Sequence, residues 1–353
     1  MRFDLRRDLI TPLSEARLIK GHGIDSPKKL ILSPIFMMTQ PNYYDPRHEV
    51  RSYLENDMTS QADVLSFSPD LARTQHAQLC EAILDLGASV FLSPGHSGQY
   101  DGVYRADSSM SMVRVTKTPL GLPVAQFNVV ASNFYNYVRN VEVQTHLADW
   151  AALKNTLILE GIPTVVNVFQ PRDCYGEGQA EHLYDPYRDL IFTGFKPKTE
   201  AFCPEKGRSD LKFNIAVGAY LGMSHRLIPL EVDGGFYHRD TSLAFLPNGE
   251  VLCHPPGFTS EAFQTLSHVV GQEKLISVGP DDALNFGCNI IPIDREHLLM
   301  PQTSTALYNT LSGLGYEVVQ LELDQFVKLS GGGAHCLKNW VNRMRPDSMT
   351  PWL

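Results

Sequence analysis

The chain has 353 residues, 43% of them apolar and 20% charged, and a formal net charge of −9. This is a globular balance, long enough for one large or two mid-sized domains, and its acidity argues against general nucleic-acid binding while favouring cationic ligands. No apolar run reaches the roughly 18 residues of a membrane-crossing helix. Residues 1–13 (MRFDLRRDLITPL) scatter charge where a leader carries an apolar stretch, so the expectation is a cytoplasmic protein with neither membrane nor nucleic-acid partners.

In chain order, a recurring grammar appears: an amphipathic helix, a glycine, then a β-rich run. It occupies residues 70–94 with Gly87, 146–169 with Gly161, 211–232 with Gly222, 260–278 with Gly271 and 303–323 with Gly315. In the first copy Leu79, Ile83 and Leu86 repeat at helical spacing. Each glycine stands where a left-handed residue ends a helix, and the Val/Ile/Leu-rich runs that follow read as strands. Five such units suggest either a doubly wound sheet or a radial repeat. Neither the Gly-x-Gly-x-x-Gly fingerprint nor a P-loop is present, which argues against phosphate-cradling nucleotide chemistry.

The cysteines are Cys80, Cys174, Cys203, Cys253, Cys288 and Cys336. None forms a Cys-x-x-Cys pair, so structural zinc is not expected, and a reducing compartment disfavours disulfides.

Against this background four stretches carry chemistry: residues 101–107 (DGVYRAD), 236–240 (FYHRD), 285–289 (NFGCN) and 329–339 (LSGGGAHCLKN). If extended, residues 236–240 put His238 and Asp240 on one face, an acid/base group beside a cation-binding group. Asp101, Arg105 and Asp107 share a face on the same assumption, which also fits an internal salt bridge. Three consecutive glycines mark a tight turn or close backbone approach, so Cys336 just beyond them is either packed or presented. His335 is its neighbour in sequence, and neighbours on an extended chain point apart. The base for Cys336 is therefore expected from elsewhere, with His238 the better candidate.

Together and in this order, the motifs DGVYRAD, FYHRDTSLAFLP, ALNFGCN and LSGGGAHC resemble the guanidino-group-modifying superfamily, which includes dimethylarginine dimethylaminohydrolases, arginine deiminases, arginine dihydrolases and amidinotransferases. The resemblance covers roughly residues 30–340, leaving 1–29 as an N-terminal extension to a single catalytic domain. It implies an α/β pentein fold, a five-bladed pseudo-symmetric propeller of ββαβ-like modules around a central channel, in keeping with the five helix–glycine–strand units. It further implies Cys336 as nucleophile, His238 as general acid/base, and Asp107 and Asp240 as guanidinium ligands, with Asp101 and Asn289 also at the substrate. No metal or organic cofactor is implied. The implied partner is a small-molecule guanidine, and a homodimer is allowed.

Two departures stand out. Relatives carry a signature resembling Glu-Gly-x-Gly-Asp, whereas here the stretch reads Tyr175-Gly-Glu-Gly-Gln179; Glu177 and Glu181 are nearby acids, but out of register with the orienting role. Relatives also resemble Gly-x-Arg-Thr where this chain has Lys198, which keeps the charge for a substrate carboxylate but loses the bidentate fork. Asp107 stands where double-hydrolysing dihydrolases tend to have Asn, leaning toward a single C–N cleavage. The leading expectation is a cysteine hydrolase acting on a guanidine such as arginine or a methylated arginine. The alternatives are an amidinotransferase and a non-catalytic guanidine-binding pseudoenzyme.

Overall fold

A computed structural model describes residues 5–47, 64–196, 208–233 and 236–346. The strands fall into five small sheets. Strands β1 (Arg17–Ile19), β2 (Ile35–Thr39) and β3 (Ser89–Ser93) lie in the first; β4 (Ser109–Lys117), β5 (Pro123–Ala131) and β6 (Thr164–Phe169) form the second. The third holds β7 (His182–Asp185), β8 (Leu190–Phe195) and β9 (Leu227–Glu231), and the fourth β10 (Leu243–Phe245), β11 (Val251–Cys253) and β12 (Leu275–Ser277). The fifth is built from β13 (Ile291–Pro292), β14 (His297–Pro301) and β15 (Glu317–Leu321). Finally β16 (Asn339–Trp340) returns to pair antiparallel with β2 in the first sheet.

One rule generates all five. An antiparallel pair is followed by a helix that carries the chain to a third strand, parallel to the second. In the first sheet the antiparallel partner of β2 is β16, so the two ends of the chain complete one blade. The first strands of the antiparallel pairs gather at the centre, where β7 packs against β10 and β16 against β4. The architecture is thus the five-bladed α/β propeller, and the radial reading of the repeat prevails over the doubly wound sheet.

The local sequence explains the crossovers. The helices Pro69–Asp85, Leu211–Leu221, Ser260–Val270 and Thr305–Gly313 begin on Ser68, Asp210, Thr259 and Ser304, whose side chains accept the amide of the third helical residue. Such a cap is worth about 1 kcal/mol. The fifth crossover helix, Asn140–Leu159, is entered through a short 3-10 turn at Tyr137–Arg139. It buries Val143, Trp150, Leu153 and Leu157, of which Trp150, Leu153 and Leu157 pack with Ala125, Phe127 and Val129 of β5. The five anticipated glycines all have positive φ, from 69° at Gly222 to 94° at Gly315. Among the described residues no helix is long and apolar enough to cross a membrane.

Closure of the ring rests on side-chain amides more than on ladder bonds, because β16 is only two residues long. Asn342 accepts from the Ile35 amide at 2.7 Å and from Trp340 Nε1 at 3.1 Å, and donates to the carbonyls of Ile31 and Ser33 at 2.9 and 2.7 Å. Asn339 donates to the carbonyls of Arg105 and Ser109, and Gln179 both accepts from Trp340 N and donates to Trp340 O. Asn342→Ala strips the Ile35 amide and two buried carbonyls of partners. It should destabilise the fold by about 1–3 kcal/mol or more, read as a lower urea midpoint at unchanged slope; a loss under about 0.5 kcal/mol would show that the closure lies elsewhere.

Candidate active site

The loops that enter the central strands lie at one end of the channel, and each brings a polar residue with it. The 3-10 turn Arg105–Ser108 before β4 carries Asp107, and the segment before β7 carries Glu177. His238 and the 3-10 turn Arg239–Thr241 precede β10, Asn289 lies just before β13, and Cys336 sits in turns before β16. The extended geometry expected for residues 236–240 and 101–107 is therefore replaced by tight turns in both places. These turns bring the side chains together where period-two alternation cannot.

Cys336 is 3% exposed and held by two residues. Its amide donates to Asn289 Oδ1 at 3.1 Å, Asn289 Nδ2 donates back to Sγ at 3.0 Å, and the thiol points to Asp240 Oδ2 at 3.2 Å. The same Asp240 oxygen receives His335 Nδ1 at 2.9 Å. His335 and Cys336 thus meet at one carboxylate and do not point apart, because residues 334–337 form turns and not an extended strand. Each glycine of the triplet has its own reason. Gly331 ends the Asp324–Ser330 helix at φ 73°. A Cβ at Gly332 would stand 2.3 Å from the Tyr104 ring, and one at Gly333 2.7 Å from Asn289 Oδ1.

His238 lies in a second cluster, with Nε2 2.9 Å from Glu177 Oε2 and Nδ1 3.8 Å from Asp107 Oδ1. Arg139 bridges the two acids, at 2.9 Å from Asp107 and 3.4 Å from Glu177, and also pairs with Glu142. Arg208 lies over the Tyr237 ring, 3.8 Å from Glu177. The register objection to Glu177 does not hold in three dimensions. Ser209 Oγ receives its amide and Ser132 Oγ that of Gly178, which turns the Glu177 side chain onto His238. Glu181 instead accepts the Arg239 amide at 3.2 Å. Asp101 is buried, and its charge is felt by Arg139 and Glu142. Arg105 turns away from this cluster to Asp149, Thr39 and His146. Lys198 lies outside the described residues. No hydrogen bond joins His238 to Cys336 among the described residues.

The electrostatics follow from burial. Burial works to raise Glu177, yet His238 with Arg208 and Arg139 holds it down to about 2. Burial works to lower His238, but Asp107 and Glu177 raise it above the ordinary histidine value, favouring its protonated form. Burial raises Asp107 against the pull of Arg139 and His238, and lifts Glu142 to about 7. The Cys336 thiol is pushed well up, first by burial and then by Asp240 and Asp107. Burial and the nearby Lys338 drop His335 to about 4, so its bond to Asp240 is that of a neutral donor, and that bond helps to hold Asp240 low against burial. Asp107, Glu177 and His238 each offer a donor atom within 4.8 Å of the others, a set that a dication could use. Sequence spacing shows no such cluster, because its members come from three separate segments. Arg139, Glu142, Arg208 and Tyr237 were not among the residues anticipated; an i,i+3 Arg–Glu pair is the one sequence sign of the first two, and it is common on ordinary helix surfaces.

No protein-family profile matches the chain. It is 27% identical over 302 residues to the bifunctional arginine dihydrolase/ornithine cyclodeaminase AgrE of Nostoc sp., covering 86% of this chain and 37% of that protein. It is 27% identical over 304 residues to the N(G),N(G)-dimethylarginine dimethylaminohydrolase of Mycobacterium tuberculosis, covering 85% and 83%. The chain thus spans well under half the length of the cyanobacterial relative and most of the mycobacterial one. In three dimensions it matches the substrate-bound N-terminal domain of the cyanobacterial arginine dihydrolase ArgZ with a TM-score of 0.69 at 24% identity, over 88% of this chain and 99% of that one. A dimethylarginine dimethylaminohydrolase adduct with S-methyl-L-thiocitrulline matches at 0.62 and 13% identity, over 87% and 99%. The fold is the pentein fold. The chain is similar to members of the guanidino-group-modifying superfamily, as its four motifs suggested.

Glu177→Gln removes the negative charge closest to His238, so the His238 titration followed by NMR should move to lower pH. The linkage signs are opposite for the pair. Stability from Glu177 is present above its unfolded value near 4.5 and is lost as pH falls through about 2, whereas stability from His238 is full below its unfolded value near 6.5 and is lost as pH rises through the higher folded one. An unmoved His238 titration in the variant would show that Glu177 does not set its charge.

Proposed function

We propose that this chain is a cysteine-dependent hydrolase that cleaves one C–N bond of a guanidine through a covalent thiouronium-type intermediate on Cys336, with residues 1–353 forming one catalytic domain. The reading is carried by a single observation: a buried thiol and a buried imidazole sit at one channel end, each against a carboxylate, with no hydrogen bond between them among the described residues. A planar guanidinium offers paired N–H donors that carboxylates match bidentately. Held by Asp107 and Asp240, it would present its central carbon to Sγ.

The charge balance then drives the chemistry. In the resting site the thiol is neutral and donates to Asp240. An arriving cation takes over that carboxylate and adds positive charge beside sulfur, which favours the thiolate, and the thiol proton is lost to water. The thiolate adds to the guanidinium carbon. His238, already protonated, gives its proton to the departing nitrogen, and the C–N bond breaks to leave the S-linked intermediate. Neutral His238 next takes a proton from a water attacking the same carbon, and the adduct collapses to a ureido product and free thiolate. Glu177 fixes the ring and supports the imidazolium as an orienting acid does in a hydrolytic triad. Asn289 anchors Cys336 on both its amide and its sulfur.

The names of the relatives direct the substrate class toward arginine or N-methylated arginines, and Asp107 favours a single cleavage. Mass spectrometry of the protein with arginine, N-methylated arginines, agmatine and guanidino acids should show a ureido product and one amine per turnover. Cys336→Ser should lower turnover by several orders of magnitude, toward the roughly 10⁶-fold loss seen when the nucleophile of a catalytic triad is removed. Full turnover without the thiol would refute covalent catalysis; saturable guanidine binding with no product, even with acceptor amines, would make the protein a binder.

A further inference from the structure

The channel has a second end. Beyond β7, β10 and β13, their hairpin turns surround a cavity of about 620 Å³, within the range of small-molecule sites. Its walls are largely apolar, with Leu243, Ile290, Trp340 and Met344 among them. Asp240 and His335 also line it, so the pair that touches Cys336 from one side faces this cavity from the other. Cys336, His238, Asp107 and Glu177 do not line it. It is a separate chamber behind the reacting groups.

Among the described residues, one buried cation lining this chamber has no carboxylate partner. Arg343 is 8% exposed, and its Nη1 has no hydrogen-bond partner. Its guanidinium lies 5.1 Å from the centre of the Trp340 ring and is in no ion pair with any described carboxylate. The Arg343 backbone is pinned, because its carbonyl receives the Val113 amide at 2.8 Å. Arginine stays charged in proteins, and a buried charge without a partner is costly. Lys338, also buried, lies close enough for Arg343 to depress its charge, and Arg295 stands exposed at the cavity rim, so further basic groups surround the space. Of the acids lining the cavity, Asp294 holds His297 and the amides of Glu296 and His297, and Asp240 holds His335 and Cys336 through Oδ2 while its Oδ1 has no hydrogen-bond partner.

We infer that this far chamber is a binding site for a small carboxylate with an apolar body, its carboxylate on Arg343 and its body against Trp340, Leu243 and Ile290. A carboxylate suits a guanidinium edge bidentately and would neutralise the one buried cation of the chamber that has no partner. The walls offer little beyond Arg343 to a multiply charged anion but much to an aliphatic or aromatic group. Occupancy would be felt at the reacting end through His335, which senses Arg343 and bonds Asp240.

The test is calorimetric titration of the full chain, its Cys336 first alkylated with chloroacetamidine so that the substrate end is blocked. Benzoate and 3-phenylpropionate are compared with benzamide and 3-phenylpropionamide. The carboxylates should bind saturably, and the amides about ten- to a hundredfold more weakly, the worth of a charged hydrogen bond. Arg343→Met should lose affinity by the same factor, with circular dichroism confirming its fold. Equal affinity for acid and amide, no binding of the acids up to about 1 mM, or full affinity in a folded Arg343→Met would each overturn the inference. The acid–amide comparison needs no variant and decides the matter even where Arg343→Met fails to fold.

Discussion

The central constraint on this molecule is the burial of like charges at one end of a narrow channel. Asp101, Asp107, Glu142, Glu177 and Asp240 are each 5% exposed or less. Ionised carboxylates cannot be collected in a water-poor space without partners. Arg139 supplies most of the compensation, touching Asp107, Glu142 and Glu177 from a single guanidinium. His238 completes it, its protonated form favoured by Asp107 and Glu177. Asp240 differs: its Oδ2 meets a neutral imidazole and a neutral thiol, its Oδ1 has no hydrogen-bond partner, and among the described residues no cation is in contact with it. The site is therefore held together by cations on one side and lacks one on the other, and a guanidinium fits that deficit in both charge and shape.

The propeller is what allows such an arrangement. Each blade sends one strand to the axis and enters it through a loop, so residues far apart in sequence meet without any long insertion. Asp107, Glu177, His238, Asn289 and Cys336 come one from each blade's entry. Three glycines in succession serve the last of these entries, where the backbone must pass the Tyr104 ring and the Asn289 amide at distances that leave no room for a side chain. The opening left by the short β16 is closed by Asn339, Asn342 and Gln179. Placing Cys336 three residues from that closure ties its thiol to the integrity of the ring.

Much of this was legible in the sequence, for physical reasons that can be named. Gly87, Gly161, Gly222, Gly271 and Gly315 mark helix ends because the left-handed conformation penalises every other residue, and the apolar periods before them survive in any context. Cys336, His238, Asp107 and Asp240 were legible as motif positions. Their mutual geometry was not, since alternation arguments assume extended chain and both stretches turn. His335 was placed on the wrong side of Cys336 for the same reason. Arg139, Arg208 and Glu142 were invisible because an arginine or a glutamate in a polar run carries no sign of burial until the tertiary fold surrounds it. Lys338 and Arg343 escaped notice on the same ground.

The departure at residues 175–179 takes on a different meaning in three dimensions. Read as a string, the change from acid to Gln179 suggests an enzyme that has lost an orienting group. In space, Gln179 accepts from Trp340 N and donates to Trp340 O, a pairing that imitates a neighbouring strand and that a carboxylate cannot make, because it has no hydrogen to donate. Tyr175 is half-buried and stands edge-on to Tyr135. Glu177, between them, meets the imidazole. An acid displaced by two positions along the chain serves the same ring when the helical turn that follows begins at Gly178, because the turn sweeps the preceding side chain inward. The substitution at 179 therefore strengthens ring closure without removing a carboxylate from His238, and it weighs against reading the altered signature as the mark of a dead site.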